Sequence, residues 1–460
     1  MQIFKTILCD YMGPINDSSC EFVKNGAVVL CATINGLDKQ SSEDGHWTIF
    51  WTGSRKELDS IYQKIQSDFS DGRTFESFVR EVDYSAYTLM PGFVDLHFHW
   101  VQEDVRQMPK DSLLDWLSNY TWPEEAKYAD RDFALEKCRQ FKVKLLSMGT
   151  LGGACYASLH AHTVEMGLEN FCGDFILGNV LMTENGPEYL CHSEQEAMND
   201  VKKLAGLYKD RYALTPRFAP TVSGKFMSEV AQVARQNDCF IQTHLSETPE
   251  ECKFVLDLYK VQKGYEDVKN YTQVYERANI LSSKTIMGHG IYLSDEELET
   301  LALTQTSIAH CPTSNAPLKE KGLGSGLFDF SKAESFGIRW ALGSDIGGGP
   351  LLSMFDVMDS FVRQNQKVSK DATYTKALYR ATAAGADILG LQKCLGRIAP
   401  GVNASFIAVK TPDNSASLSP EQFLAKLCQT DGDFSQREGL QNLVEMTFFC
   451  GNKVYSREQN

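Results

Sequence analysis

The chain has 460 residues, 43% hydrophobic and 23% charged, with a formal net charge of −15; this is a globular composition too long for one small core, so a large barrel-type domain with an accessory domain is expected. The acidic balance excludes a nucleic-acid backbone as the main partner, since such binders carry basic patches, and no apolar run approaches the ~20 residues of a membrane span. Thirteen cysteines without a Cys-x-x-Cys pair, and a start without a basic segment leading into a long apolar core, predict reduced thiols, no secretion signal, no all-cysteine zinc site and a cytoplasmic protein.

In chain order, residues 1–88 read as strands and turns. Gly26–Leu30 and Trp47–Trp51 are short β-branched or aromatic runs bounded by Gly, Asp and Asn, and Lys56–Phe69 has helical spacing. Next come eight apolar strand candidates: Gly92–His97, Gly149–Tyr156, Phe175–Leu181, Tyr212–Phe218, Phe240–His244, Thr285–His289, Ser307–His310 and Ile338–Gly343. The segments between them, such as Ser228–Gln236 and Asp295–Leu303, have helical spacing. Eight such units in about 300 residues predict an α/β fold, a distorted (β/α)8 TIM barrel over 89–398. Ala404–Val409 and Met446–Cys450 return to strand character, with Gly451-Asn452 as a turn. Both chain ends, 1–88 and 399–460, are therefore expected to build one small β-sandwich domain.

The polar residues of interest fall at the C-terminal ends of the predicted barrel strands, where barrel enzymes place their chemistry. His97 and His99 are two apart and project to one side of a strand. Thr243-His244-Leu245-Ser246-Glu247, His289, His310 and Ser344-Asp345 before three glycines mark later strand ends. A lone strand histidine is more often a hydrogen-bonded core residue than a ligand, and a lone Asp before glycines is more often a turn former. Five histidines and an aspartate at one face favour a metal site. A catalytic Zn²⁺ or Fe²⁺ takes neutral imidazoles and a carboxylate and keeps one position for water, whose pKa it lowers from ~15.7 towards ~7. Asp345 could both ligate and accept the water's proton. Glu247 reads as a proton shuttle; the plainer reading is an acid at the start of the next helix. His192-Ser193-Glu194 matches half the signature of the cytidine-deaminase type of zinc site, but no Pro-Cys-x-x-Cys follows.

Several runs resemble the amidohydrolase superfamily and, within it, its guanine-deaminating branch, from about Leu89 to Val409. They are Pro91–His99 followed by Gln102, the segment Leu114–Leu117 with Tyr120–Glu124, Thr215–Pro220, His310–Asn315, Gly324–Phe328 and Ser344–Gly349. The resemblance implies one zinc on His97, His99, His244 and Asp345, with iron(II) also suited to that set, and no organic cofactor. It implies that His289 orients the water and that Glu247 relays protons. It further implies that Gln102, Arg217 and Phe218, beside His244 and Asp345, bind a small-molecule purine, guanine, which is hydrolysed to xanthine and ammonia. A planar polar heterocycle does want a cationic fork or amide at its edge and an aromatic on its face. A homodimer is implied as well. The alternatives are another amino-heterocycle (a different purine, a pterin or a triazine) and a non-catalytic barrel scaffold. The chain departs from the pattern in a longer loop at Ala316–Gly322, in Trp100 beside the metal motif, and in Leu151-Gly152-Gly153 where threonines are common; these bear on pocket volume and substrate preference.

Overall fold

The computed structural model describes residues 2–33, 45–75, 78–110, 112–413, 415–429, 440 and 442–459. The chain opens with β1 (Gln2–Asn16), β2 (Ser19–Thr33), β3 (Thr48–Ser54) and β4 (Val79–Pro91). Eight strands follow: β5 (Phe93–His99), β6 (Thr150–Ala157), β7 (Asp174–Leu181), β8 (Ala213–Pro216), β9 (Phe240–Leu245), β10 (Thr285–His289), β11 (Ser307–His310) and β12 (Trp340–Leu342). They pair in parallel in sequence order, and helices such as Arg131–Met148, Gly224–Asn237 and Asp295–Leu303 intervene. This is the expected eight-unit barrel. Val94, Leu151, Ile176, Ala213, Phe240, Ile286, Ala309 and Ala341, one from each strand, pack into a single apolar cluster that fills the barrel floor.

The chain closes with β13 (Phe406–Lys410), β14 (Val444–Phe449) and β15 (Asn452–Ser456). These join the first four in one sheet of order β15-β14-β13-β4-β1-β2-β3, so strands from both chain ends pair in a single sheet separate from the barrel. Phe4, Val28, Leu30, Phe406 and Phe448 share its core. The 15-residue β1 carries a register shift between Cys9 and Tyr11 against β2, which breaks its pleat alternation. β4 runs to Pro91, and β5 starts at Phe93. Among the described residues no helix is long and apolar enough to cross a membrane. All thirteen cysteines are free thiols.

Two glycines set the approach of strands near the site. At Gly153, with φ of 153°, a Cβ would collide with the carbonyl of Asp95, so β6 can run against β5 only without a side chain there; this accounts for the glycine at 153. At Gly343 a Cβ would lie 2.8 Å from that of His97 and 2.9 Å from its amide nitrogen. Gly343→Ala is therefore expected to cost about 1–3 kcal/mol of stability and to weaken metal retention, measured by denaturant unfolding and by metal analysis of the same samples.

Candidate active site

β5 lies at one end of the eight-strand order and β12 at the other. Their meeting is made by the amide of Asp345 donating to the carbonyl of His97 at 2.7 Å and by the amide of Ser344 donating to Asp95 Oδ1 at 2.9 Å. Asp95 Oδ1 also accepts from the amide of His97 at 3.2 Å, and burial raises the Asp95 carboxyl to about 7. This seam sets the Asp345 carboxylate against the histidines of β5. Its Oδ1 lies 3.3 Å from His97 Nε2 and 3.5 Å from His99 Nε2. One donor atom from each of His97, His99, His244 and Asp345 lies within 4.8 Å of the others.

The chemistry of this set fits a divalent ion. Burial, outweighing the neighbouring Asp345, keeps His97, His99 and His244 below the usual imidazole range, so each offers a neutral lone pair. His244 Nδ1 donates to the carbonyl of Arg217 at 2.5 Å, which leaves its Nε2 available to a metal ion. Burial alone would raise the Asp345 carboxyl, but the hydrogen bond with His97 and the neighbouring His289 outweigh it and lower the group well below the usual carboxylate range. Cys311, with His289 and Asp345, meets the same spacing. Its thiol donates to the carbonyl of Ala309 at 3.6 Å and burial pushes it well up, so it is a protonated core thiol.

Beside this group stand His289 and Glu247. His289 Nδ1 donates to Asn315 Oδ1 at 2.9 Å, which leaves Nε2 facing Glu247 Oε2 at 3.5 Å and Asp345 Oδ2 at 3.9 Å. Burial opposes the His289 charge, yet the two carboxylates prevail and raise its pKa. Glu247 accepts from Ser325 Oγ at 2.7 Å, and burial raises its carboxyl. The helix-capping acid is Glu251, which accepts from the amides of Glu247 at 2.8 Å and Thr248 at 3.3 Å in a capping box with Thr248. Glu247 is thereby left facing the pocket. The chain reaches it through Ser246 at φ of 50°, a left-handed residue that breaks the strand alternation after His244.

His99, His244 and Asp345 of the metal-type group share one pocket with the groups that could hold a ligand, and that pocket is open to solvent. Its polar lining includes Gln102, Arg217, Glu247, His289 and Asp345, and its apolar lining Trp116, Leu117, Phe218 and Leu323. Behind Gln102 and Arg217 lies Glu125, which the sequence reading did not single out. It is fully buried, its Oε1 accepts from Gln102 Nε2 and its Oε2 from Arg217 Nη1, both at 2.7 Å. Leaving one member of such a buried pair alone costs about 3–5 kcal/mol.

Two expectations are corrected by strand alternation. Ala309 faces the barrel interior, so His310 points outward and packs on Phe328, Trp340 and Phe361 at ring distances of 4.9, 6.0 and 5.9 Å. Among the described residues neither ring nitrogen has a hydrogen-bond partner and burial lowers it to about 3, so it is a neutral core histidine apart from the metal group. Trp100 packs outward on Tyr128 and Phe171 and does not line the pocket. The longer loop does bear on the pocket: Leu323, just after it, lines the wall, and the Lys321 carbonyl accepts from the buried Lys110 at 3.1 Å.

A barrel whose strand-end histidines and last-strand aspartate converge in this way defines a metal-dependent hydrolase class, and the family model of the amidohydrolases matches residues 88–437. The chain belongs to the amidohydrolase family. It is 31% identical over 396 residues to the guanine deaminase of Escherichia coli K12, covering 82% of this chain and 85% of that protein. It is 32% identical over 370 residues to that of Rattus norvegicus, covering 76% and 79%. Among solved structures it resembles E. coli guanine deaminase with a TM-score of 0.81 at 27% identity, covering 98% of this chain and 100% of that one. A guanine deaminase from C. acetobutylicum, solved with guanine in its active site, gives 0.80 at 25% identity over 98% and 100%.

Asn315 hydrogen-bonds His289 and, among the described residues, none of the four putting a donor atom into the metal group. Asn315→Leu is expected to lower turnover about 10–100-fold, the range for lost supporting contacts, with metal content unchanged by elemental analysis.

Proposed function

We propose that this protein is a guanine deaminase that hydrolyses guanine to xanthine and ammonia, with one zinc ion held by His97, His99, His244 and Asp345; iron(II) suits the same donors. The observation that carries this reading is one pocket lined by both kinds of group: an arginine, an amide and a phenylalanine suited to a planar heterocycle, and the metal-type cluster with Glu247 beside it. The relatives named above support the choice of base. We take the protein to be cytoplasmic, in keeping with its free thiols, and homodimeric.

A divalent ion bound there lowers the pKa of water to near neutrality and so supplies the nucleophile. The residues do the rest. Arg217 and Gln102 hold the base by its carbonyl and ring edge while Phe218 covers its face, which places the carbon bearing the amine towards the cluster. Glu247, ionised at the outset, takes a proton from the attacking water and delivers it to the ring nitrogen. His289, its Nδ1 anchored on Asn315, orients the water. Asp345 accepts the second proton and passes it to the departing amine, so one water is consumed and one ammonia released.

Absorbance assays of guanine conversion should show turnover. Glu247→Gln should abolish it while the metal stays bound, Asp345→Ala should abolish it and lose metal, and Arg217→Ala should raise KM for guanine far more than it changes metal content. An active Glu247→Gln enzyme would refute the shuttle. The acid limb of kcat should lie above the ~4.3 of an exposed glutamate, because burial raises Glu247 and only its ionised form accepts the proton. A limb at or below that value would remove Glu247 from the role.

A further inference from the structure

We infer that Glu125 is a positioning residue that decides which hydrogen-bonding edge of a purine the pocket accepts, an inference that rests on the guanine reading above. Its two oxygens are both committed, one to Gln102 Nε2 and the other to Arg217 Nη1, each at 2.7 Å. An ionised carboxylate only accepts hydrogen bonds. The Gln102 amide therefore cannot turn over, because its carbonyl oxygen would then sit against Glu125 Oε1, acceptor against acceptor. Gln102 keeps its nitrogen on Glu125 at 2.7 Å, with His99 Nδ1 a second, longer contact of the same nitrogen at 3.1 Å, and its Oε1 accepts no hydrogen bond from the described protein groups. The turn at Gly347 makes room for that oxygen, since a Cβ there would collide with it. Arg217 gives one N–H to Glu125 and keeps others for the pocket that both residues line.

The pocket thus presents an acceptor beside cationic donors, in an order fixed by a third residue behind them. Guanine matches that order, with N1–H for Gln102 Oε1 and the C6 carbonyl for Arg217. The base 2,6-diaminopurine carries the same C2 amine but inverts the edge, with a bare N1 and an amino group at C6. It would set acceptor against acceptor and donor against donor. Buried groups held in one polarity reject such an analogue strongly, because each contact leaves a polar group unpaired. Glu125 neither lines the pocket nor belongs to the metal group; it acts through the two side chains it holds.

The test compares kcat and KM for guanine and 2,6-diaminopurine in wild-type, Glu125→Gln and Glu125→Asp proteins, with metal content measured on each. Glu125→Gln should raise KM for guanine and reduce the guanine to 2,6-diaminopurine ratio of kcat/KM at least about tenfold, with metal content unchanged. Should that variant not fold, Glu125→Asp, which keeps the charge but shortens its reach, should narrow the same ratio. Equal losses on both bases, with the wild-type ratio kept, overturn the inference and leave Glu125 a structural support. A wild-type protein that turns over neither base overturns the functional reading, and this inference with it.

Discussion

Among the described residues no run of strand pairing joins β12 to β5, and the barrel closes there through two amide donors, those of Asp345 and Ser344. Each carries a consequence beyond closure. The first ties the backbone of one metal-type residue to that of another, almost 250 positions away in the chain. The second anchors the buried Asp95 carboxylate directly beneath His97. Gly343 lets the strands come this close. The placing of Asp345 against His97 and His99 is therefore a property of the seam, while His244 is set separately on β9 by the Arg217 carbonyl.

From the seam outward, the side chains are aimed by breaks in regular structure. Ser246, His289 and Asp345 all have positive φ, at 50°, 70° and 47°. Such residues are costly and persist where the surroundings hold them; here Asp345 is held by the seam and His289 by Asn315. The electrostatics follow from burial and neighbours. Three imidazoles are kept neutral, one carboxylate is lowered, and a second, on Glu247, is raised by burial. Two carboxylates so differently tuned suit a reaction that moves two protons through separate groups.

Much of this was legible in the sequence because barrel strands advertise themselves as apolar runs ending in polar residues. His97, His99, His244, Glu247, His289 and Asp345 each sit at such an end. His310 was misjudged for want of one more step: Ala309 occupies the interior, so period-two alternation sends its neighbour outward. Glu125 was not legible. It lies nine residues after Trp116, which on a regular α-helix is about two and a half turns and the opposite face. A π-helical stretch at Leu117–Thr121 winds more slowly, and it brings Glu125 behind the same pocket that Trp116 lines. β1 and β4 escaped because a register shift interrupts the pleat of β1 and because β4 is half polar until its last four residues.

The central claim joins a metal to a purine, and one titration measures both. Protein stripped with a chelator should be inactive on guanine, regain xanthine production in proportion to added zinc, and reach its plateau at one equivalent per chain. Production that is indifferent to stripping, or absent at full metal loading, would contradict the account.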